Sequence, residues 1–482
     1  MTRSQTKRTR TSIRWAEAVA LAALTLVALL TFPPLLAAAD FPASLLGLAS
    51  AYLFRNVVKN TLLVTAIAAG LGLLFAYLTA LAIRDASRSR TLLLYALLIP
   101  LATPAPLAAL LWRMTLTGGI SGFQQPLTAL AATGMVSAWR TAPLLALILL
   151  TWPRRKHAWL AVGALAAYAS AADVTTPLLL TGGEPFNATH TLASWTFQLA
   201  AVNHGWRAGA AAALVWLGAL ALPVGALLYA LDANSPAARP TSDRFPRSRT
   251  PVVEALTAIL LLAWMLMPLL FPVLNNPARL GQIIPLLGSA TYWRGWLNTL
   301  LLVGGVALVA APIAGGVARR PAVKWKHAQG KPKYADWGRG LIGLALLSSP
   351  VAFIGLGWLA VRTNVGGGAF LWLFYSALTI CLGVGLAPLV PAGIVFSDDG
   401  KKRNATLAVA IGFFVIWQDF PTVLILRAPL AIQPIAPAIT MKMGAPIAFD
   451  SPLLAASLLT SLLVWLALAF ILKYVLKYVK SR

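Results

Sequence analysis

Acidic side chains are scarce in this chain of 482 residues: 13 Asp and Glu stand against 39 Lys and Arg, a formal net charge of +26. A single cysteine, Cys381, excludes an internal disulfide, and its apolar neighbours read it as a small packed residue. Four scattered histidines give no metal-ligand spacing. His190 and His204 share a loop with Glu184, and fourteen residues apart they read as solvated. No G-x-x-x-x-G-K-[ST] phosphate loop occurs; GKPK (330 to 333) and GKKR (400 to 403) lack the upstream glycine and the hydroxyl that would hold magnesium. No nucleophile elbow, acid–base pair or zinc signature is present, so the chain reads as no enzyme and calls for no cofactor.

What is abundant is apolar length. The chain is 59% hydrophobic and 11% charged, and many apolar runs approach the ~20 residues that cross a bilayer core of about 30 Å as a helix. The runs lack the alternation of barrel strands, and in lipid a helix satisfies its own backbone. The reading is an all-α polytopic membrane protein with about twelve spans. They lie near 16–38, 61–83, 92–112, 136–150, 158–180, 209–231, 252–274, 297–317, 340–361, 370–396, 405–426 and 453–475.

The basic excess is distributed by topology. With a cytoplasmic N-terminus, 29 of the 39 Lys and Arg fall on the cytoplasmic side, 9 outside, and Arg140 inside the fourth span. That is the positive-inside bias, and it replaces nucleic acid with anionic lipid as the partner of the charge. Both termini are then cytoplasmic. The first apolar run is too long for a cleaved signal and reads as a retained anchor. Trp15, Trp112, Trp293, Trp296 and Trp337, near span ends, read as interfacial belts.

The chain repeats itself. RWAEAVALAALTLVALLTFPPLL (14 to 36) resembles TPVVEALTAILLLAWMLMPLLFPVL (250 to 274), with Glu17 and Glu254 in matching places. NTLLV (60 to 64) matches NTLLLV (298 to 303). Arg90 to Arg113 matches Arg339 to Arg362 with the same spacing of 23. TAPLLALILL (141 to 150) matches LAPLVPAGIV (386 to 395), and 159–180 matches 406–426. Ordered matches at offsets between 237 and 249 residues imply two six-helix units, 1–231 and 252–482, joined by a Pro/Ser/Arg-rich tether at 232–251. Six is even, so both units enter the membrane alike, related by a pseudo-two-fold along its normal, with a solute path between them.

The repeat includes a carboxylate. Asp173 in AADVTTP and Asp419 in WQDFPTV sit deep in the fifth span of each half, followed by Pro177 and Pro421. A membrane-embedded carboxylate costs roughly 2.5–3.5 kcal/mol and faces protein or water. Two readings are open: the Asp-to-Pro segments line or gate a central path, or each Asp caps a broken helix by accepting backbone N–H bonds. Arg140 likewise either pairs with Asp173 or snorkels to the external interface.

These residues carry a resemblance. The segment DVTTPLLLTGGEPFNATHTLASWTFQLAAVNHGWRAGAAAALVWLGALALPV (173 to 224) resembles the end of the membrane subunits of type I ABC importers, and the second half resembles the same region more loosely. Together the halves are similar to the fused, two-in-one permeases of the iron, thiamine and sugar classes. The resemblance implies a bacterial inner-membrane translocation subunit working by alternating access. Its implied partners are a separate ATP-binding subunit, two copies of it, and an extracytoplasmic solute-binding protein.

One departure is large. The family's Glu-Ala-Ala loop before the fifth helix, whose short helix docks the ATPase, is reduced to TWPRRKH (151 to 157) and SDDGKKRN (397 to 404); seven or eight residues hold no docking helix with its connections. The residual ATPase-facing candidates are Arg154, Arg155, Lys156, Asp398, Asp399, Lys401, Lys402 and Arg403, with the basic segment 318–339 beside them. The shortened loops keep two other readings open: an ATP-independent carrier or channel derived from such a permease, and an accessory subunit without transport of its own. The solute is not legible.

Overall fold

The computed structural model describes residues 3–40, 43–85, 90–117, 123–151, 157–185, 187–233, 251–275, 277–317, 333–363, 367–386, 400–419, 421–422 and 451–480. Among them there are helices and turns and no strand. The first half comprises α1 (Arg3–Ala39), α2 (Ala43–Ser50), α3 (Tyr52–Asp85), α4 (Arg90–Ala102), α5 (Ala105–Thr117), α6 (Pro126–Thr151), α7 (Ala158–Ala171), α8 (Thr175–Leu180), α9 (Leu192–Phe197) and α10 (Trp206–Ala233). The second comprises α11 (Pro251–Asn275), α12 (Ile283–Leu287), α13 (Ala290–Val317), α14 (Lys333–Thr363), α15 (Gly367–Leu386), α16 (Gly400–Gln418) and α17 (Ser451–Lys480).

Among the described residues seven helices are long and apolar enough to cross a membrane, and the pair α4–α5 raises this to eight if it counts as one bent span. This is a multi-pass, all-α membrane protein. Shorter apolar helices run over Ala158–Ala171, Leu192–Val202, Ala369–Val384, Ala408–Gln418 and Ala455–Ile471. The expected third span, 92–112, is not one helix: α4 and α5 meet at 102° across Thr103 and Pro104. Pro104 brings no N–H and pushes the residue before it out of the helical region. The fifth span, 158–180, likewise stops after Ala171 and resumes as α8. The fourth starts ten residues earlier than expected, at Pro126, a residue suited to a first helical position. The tether, both residual cytoplasmic loops up to 399, and the end of the eleventh span lie largely outside the described residues.

Close glycine contacts fix helix directions. Gly134 of α6 lies against Val64 and Ile67 of α3, while Gly72 of α3 lies against Ala138, Thr141 and Leu145 of α6, so α3 and α6 run parallel. In the second half Gly305 meets Trp372 and Gly383 meets Ala314, so α13 and α15 are parallel too.

Contacts between the halves are reciprocal. Helix α1 leaves its own half to pack on α13, α14 and α15, and α11 packs on α3, α4 and α5. The end of α10 lies on α14, and α17 lies on α4. Both of these last pairs are antiparallel: Leu228 touches Gly343 while Trp216 neighbours Phe353, and Trp465 bonds at Tyr95 while Ala455 and Ala456 share a core with Ala102.

Prolines and aromatic donors stitch this seam. A proline cannot donate to the carbonyl four residues before it, and in a membrane that oxygen must find another partner. At the bend before Pro104, where α4 ends, Ala102 O is left open and accepts from Trp417 Nε1 at 3.1 Å. Pro268 leaves Trp264 O, which accepts from Trp139 Nε1 at 3.1 Å. Pro350 leaves Leu346 O, which accepts from the Tyr168 hydroxyl at 2.8 Å. Pro34 cannot donate to Leu30 O, and there Gly355 supplies closeness instead, since a Cβ on it would stand 2.9 Å from that oxygen. All four contacts join one half to the other.

This corrects the expectation for the tryptophans. Trp112, expected in an interfacial belt, is fully buried, as are Trp139, Trp216 and Trp417, whereas Trp293 is 44% exposed. An indole buries a large apolar body and still offers one N–H, which suits it to a carbonyl that a helix break has freed. Trp216 Nε1 does the same for Ala171 O, at 2.7 Å, where α7 ends.

Candidate functional site

Both carboxylates sit where a helix has stopped, and both do the same local work. Asp173 follows the end of α7, and its Oδ1 accepts the Thr176 N–H at 3.0 Å. Asp419 follows the end of α16, and its Oδ1 accepts the Thr422 N–H at 3.2 Å. Each accepts the backbone N–H three residues on, as a cap does, satisfying a donor that a broken helix leaves open. The capping reading of the two Asp residues is therefore seen directly. Pro177 lies in the first turn of α8, and Pro421 directly precedes Thr422.

The second oxygens differ. Asp173 Oδ2 accepts from Arg140 Nη1 at 2.6 Å, from the Thr176 hydroxyl, and from Ser137 Oγ at 3.4 Å. Arg140 does not snorkel outward; its side chain is 16% exposed and that of Asp173 8%, so the pair is held mostly out of water. A buried ion pair of this kind is strong only where the remaining donors and acceptors are also met. Arg140 Nη1 also meets Thr176 Oγ1 at 2.8 Å. Asp419 Oδ2 accepts instead from the hydroxyl of Tyr375 on α15, at 2.8 Å.

Gln418 ties the two devices together. Arg140 Nη2 donates to Gln418 Oε1 at 3.0 Å, and the same oxygen accepts the Ala105 N–H at 2.9 Å. Ala105 opens α5 beyond the bend, so its N–H has no helical partner. One amide thus meets the bent third span, the arginine of α6 and, through it, Asp173, while its chain neighbour is Asp419. Sequence reasoning missed Gln418, Thr176 and Tyr375. Each is an ordinary polar residue in an apolar run, and adjacency to a repeated Asp was the one available signal for Gln418 and Thr176.

A second polar assembly lies in the turn between α8 and α9. Asn60 Nδ2 donates to Ala188 O at 2.7 Å and to His190 O at 3.0 Å, and Leu192 N donates to Thr61 Oγ1 at 2.7 Å. The Asn-Thr of NTLLV thereby holds the TGGEPFNATHTL turn. Gly183 has φ +90° and lies directly under the His190 ring, where a Cβ would come within 2.4 Å of Nε2. His190 is buried, contrary to the solvated reading, and burial lowers its imidazole below the usual value. His204 is exposed as expected. Arg113, 4% exposed, pairs with Glu184 at 3.3 Å, whereas its sequence counterpart Arg362 is exposed and lies 5.4 Å over Trp358.

No cluster of three metal-ligating side chains occurs among the described residues. Arg154, Arg155, Lys156, Asp398 and Asp399 lie outside them; Lys401, Lys402 and Arg403 fall in the first turn of α16.

The fold and the buried polar seam define a multi-pass membrane protein with ionisable groups held between two sets of helices. No family model matches the chain, and neither a curated protein nor a solved structure does.

Proposed function

We propose that this chain is a translocation subunit: two like-oriented six-helix halves, twelve crossings in all, carrying a small solute along their seam by alternating access. The observation that carries the reading is the polar assembly of Arg140, Asp173, Gln418, Asp419 and Tyr375 at the junction of the halves. Ionisable groups at membrane depth are costly and mark solute or ion routes. Broken helices around such groups are a recurrent way of building a midplane site. The parallel pairs α3/α6 and α13/α15 support the count, since each needs one crossing between its members. The reciprocal placing of α1 with α11, and of α10 with α17, supports the repeat.

The resemblance to type I ABC permeases supplies the finer reading: an inner-membrane importer subunit with cytoplasmic termini, a separate ATPase and an external solute-binding protein. The single test is gentle extraction of the tagged full chain followed by identification of what accompanies it. A stoichiometric ATP-binding protein is the expected result. Its absence, with solute flux into vesicles holding this chain alone, would instead establish the ATP-independent carrier that the shortened cytoplasmic loops favour.

A further inference from the structure

Resting on that reading, we infer that Gln418 is the latch of the seam, a side chain that holds the two halves closed and must release before a path can open. Three observations carry it. First, Gln418 Oε1 is shared between donors that both belong to the other half, Arg140 Nη2 at 3.0 Å and the Ala105 N–H at 2.9 Å. Secondly, the donors come from two separate elements, α6 and the start of α5, so one oxygen fixes the bend of the third span and the arginine of the fourth together. Thirdly, the bonds can break without stranding a charge. Arg140 keeps Asp173 and Thr176 within its own half, and Asp419 keeps Tyr375 and Thr422 within its own.

That third point separates a latch from a structural bolt. An ion pair across the seam would leave two desolvated charges when the halves part, at several kcal/mol each. Here the charges are neutralised or capped inside each half, and within this charged network it is a neutral amide that bridges, as neutral indole and phenol donors do elsewhere along the seam. Its bonds to a guanidinium and one N–H are directional but of modest net strength. The charged part of the seam is therefore built to part at that amide.

The test uses the full chain in lipid nanodiscs with Cys381→Ala and nitroxide labels at Asn203→Cys and Leu287→Cys, one exposed site on each half. Pulsed electron double resonance then reads the distance populations. Unsubstituted Gln418 should give a dominant short distance with a minor longer one. Gln418→Leu should enlarge the longer population at least threefold. Gln418→Glu, which turns the bridge into an ion pair with Arg140, should deplete it at least threefold and remains informative if the leucine variant does not fold. Two populations that neither substitution moves would overturn the latch and leave the seam path standing. One rigid distance in every variant would overturn both.

Discussion

At the scale of single residues, Arg140 and Asp173 show how a membrane protein keeps charge where lipid forbids it. The two terminal nitrogens of the guanidinium meet one carboxylate, one hydroxyl and one amide, while its buried Nε meets none, and the carboxylate takes a backbone N–H as well. Removing Arg140 leaves Asp173 desolvated and unpaired, a loss of roughly 3–5 kcal/mol. Arg140→Leu should therefore lower the thermal midpoint in detergent by many degrees, and adding Asp173→Asn to it should recover part of that loss. His190 gives a pH-dependent counterpart outside the spanning helices. Its folded-state pKa lies below the unfolded value of about 6.5. The fold therefore favours the neutral ring, and stability is lost as pH falls through about 6.5 and on towards the folded value. Arg113 and Glu184, the charged groups of the same region, are unchanged in a His190→Gln variant, so comparing the two proteins isolates the ring. The thermal midpoint of the parent should fall more between pH 7.5 and pH 5.5 than that of the variant; equal falls would remove His190 as the cause.

At the scale of elements, proline and aromatic residues act as a pair. Pro268 and Pro350, inside helices, and the break at Pro104 each orphan one carbonyl, and each carbonyl is met by an indole or phenol from the opposite half. A double-mutant cycle reads this coupling directly. Trp139→Phe should cost about 1–3 kcal/mol, because Trp264 O loses its donor. In a Pro268→Ala background the same change should cost clearly less, since the introduced alanine, inside α11, has an N–H that can reach that oxygen; equal costs in chemical denaturation would show that the indole contributes only bulk. Gly355 is the fourth case. A methyl there would meet Leu30 O and Thr31 O at under 3 Å, so Gly355→Ala must push α1 from α14. Overpacking of this sort costs roughly 1–3 kcal/mol. The helices themselves were legible in the sequence because apolar length is a one-dimensional signal. The breaks at Thr103 and Ala172 were not, since a proline in an apolar run can kink, end or leave a helix nearly straight. What decides is the partner for the freed carbonyl, and that partner lies 315 residues away in the chain for Ala102 O and 45 for Ala171 O.

At the scale of the whole molecule, the matched segments of the sequence and the reciprocal packing of α1 with α11 and of α10 with α17 both support the proposed topology. Sequence offsets place Asp173 with Asp419, and the structure gives both the same cap, on Thr176 and Thr422. They diverge at the second oxygen, where Arg140 serves one and Tyr375 the other, and no repeat could have foretold that, because only one half carries the arginine. Twelve crossings make a strict demand on sidedness. Gln125, Asn203, Leu287 and Thr363 are exposed, and along the chain each is separated from the next by two proposed spans. All four must then face the same side, opposite to the 234–250 tether. Single cysteines at these positions and at Ser235, in a Cys381→Ala background, distinguish the possibilities with a membrane-impermeant maleimide on sealed right-side-out vesicles. The four should react from outside, and Ser235→Cys only after permeabilisation. If the bent α4–α5 pair enters and leaves by one face instead of crossing, α3 and α6 could not both span in parallel with so short a connection. A further cysteine at exposed Asp40, ahead of α3, would then part company with that at Gln125. If the halves are inverted with respect to each other, Leu287 and Thr363 would part from Gln125 and Asn203, and a path along a two-fold seam would have no basis.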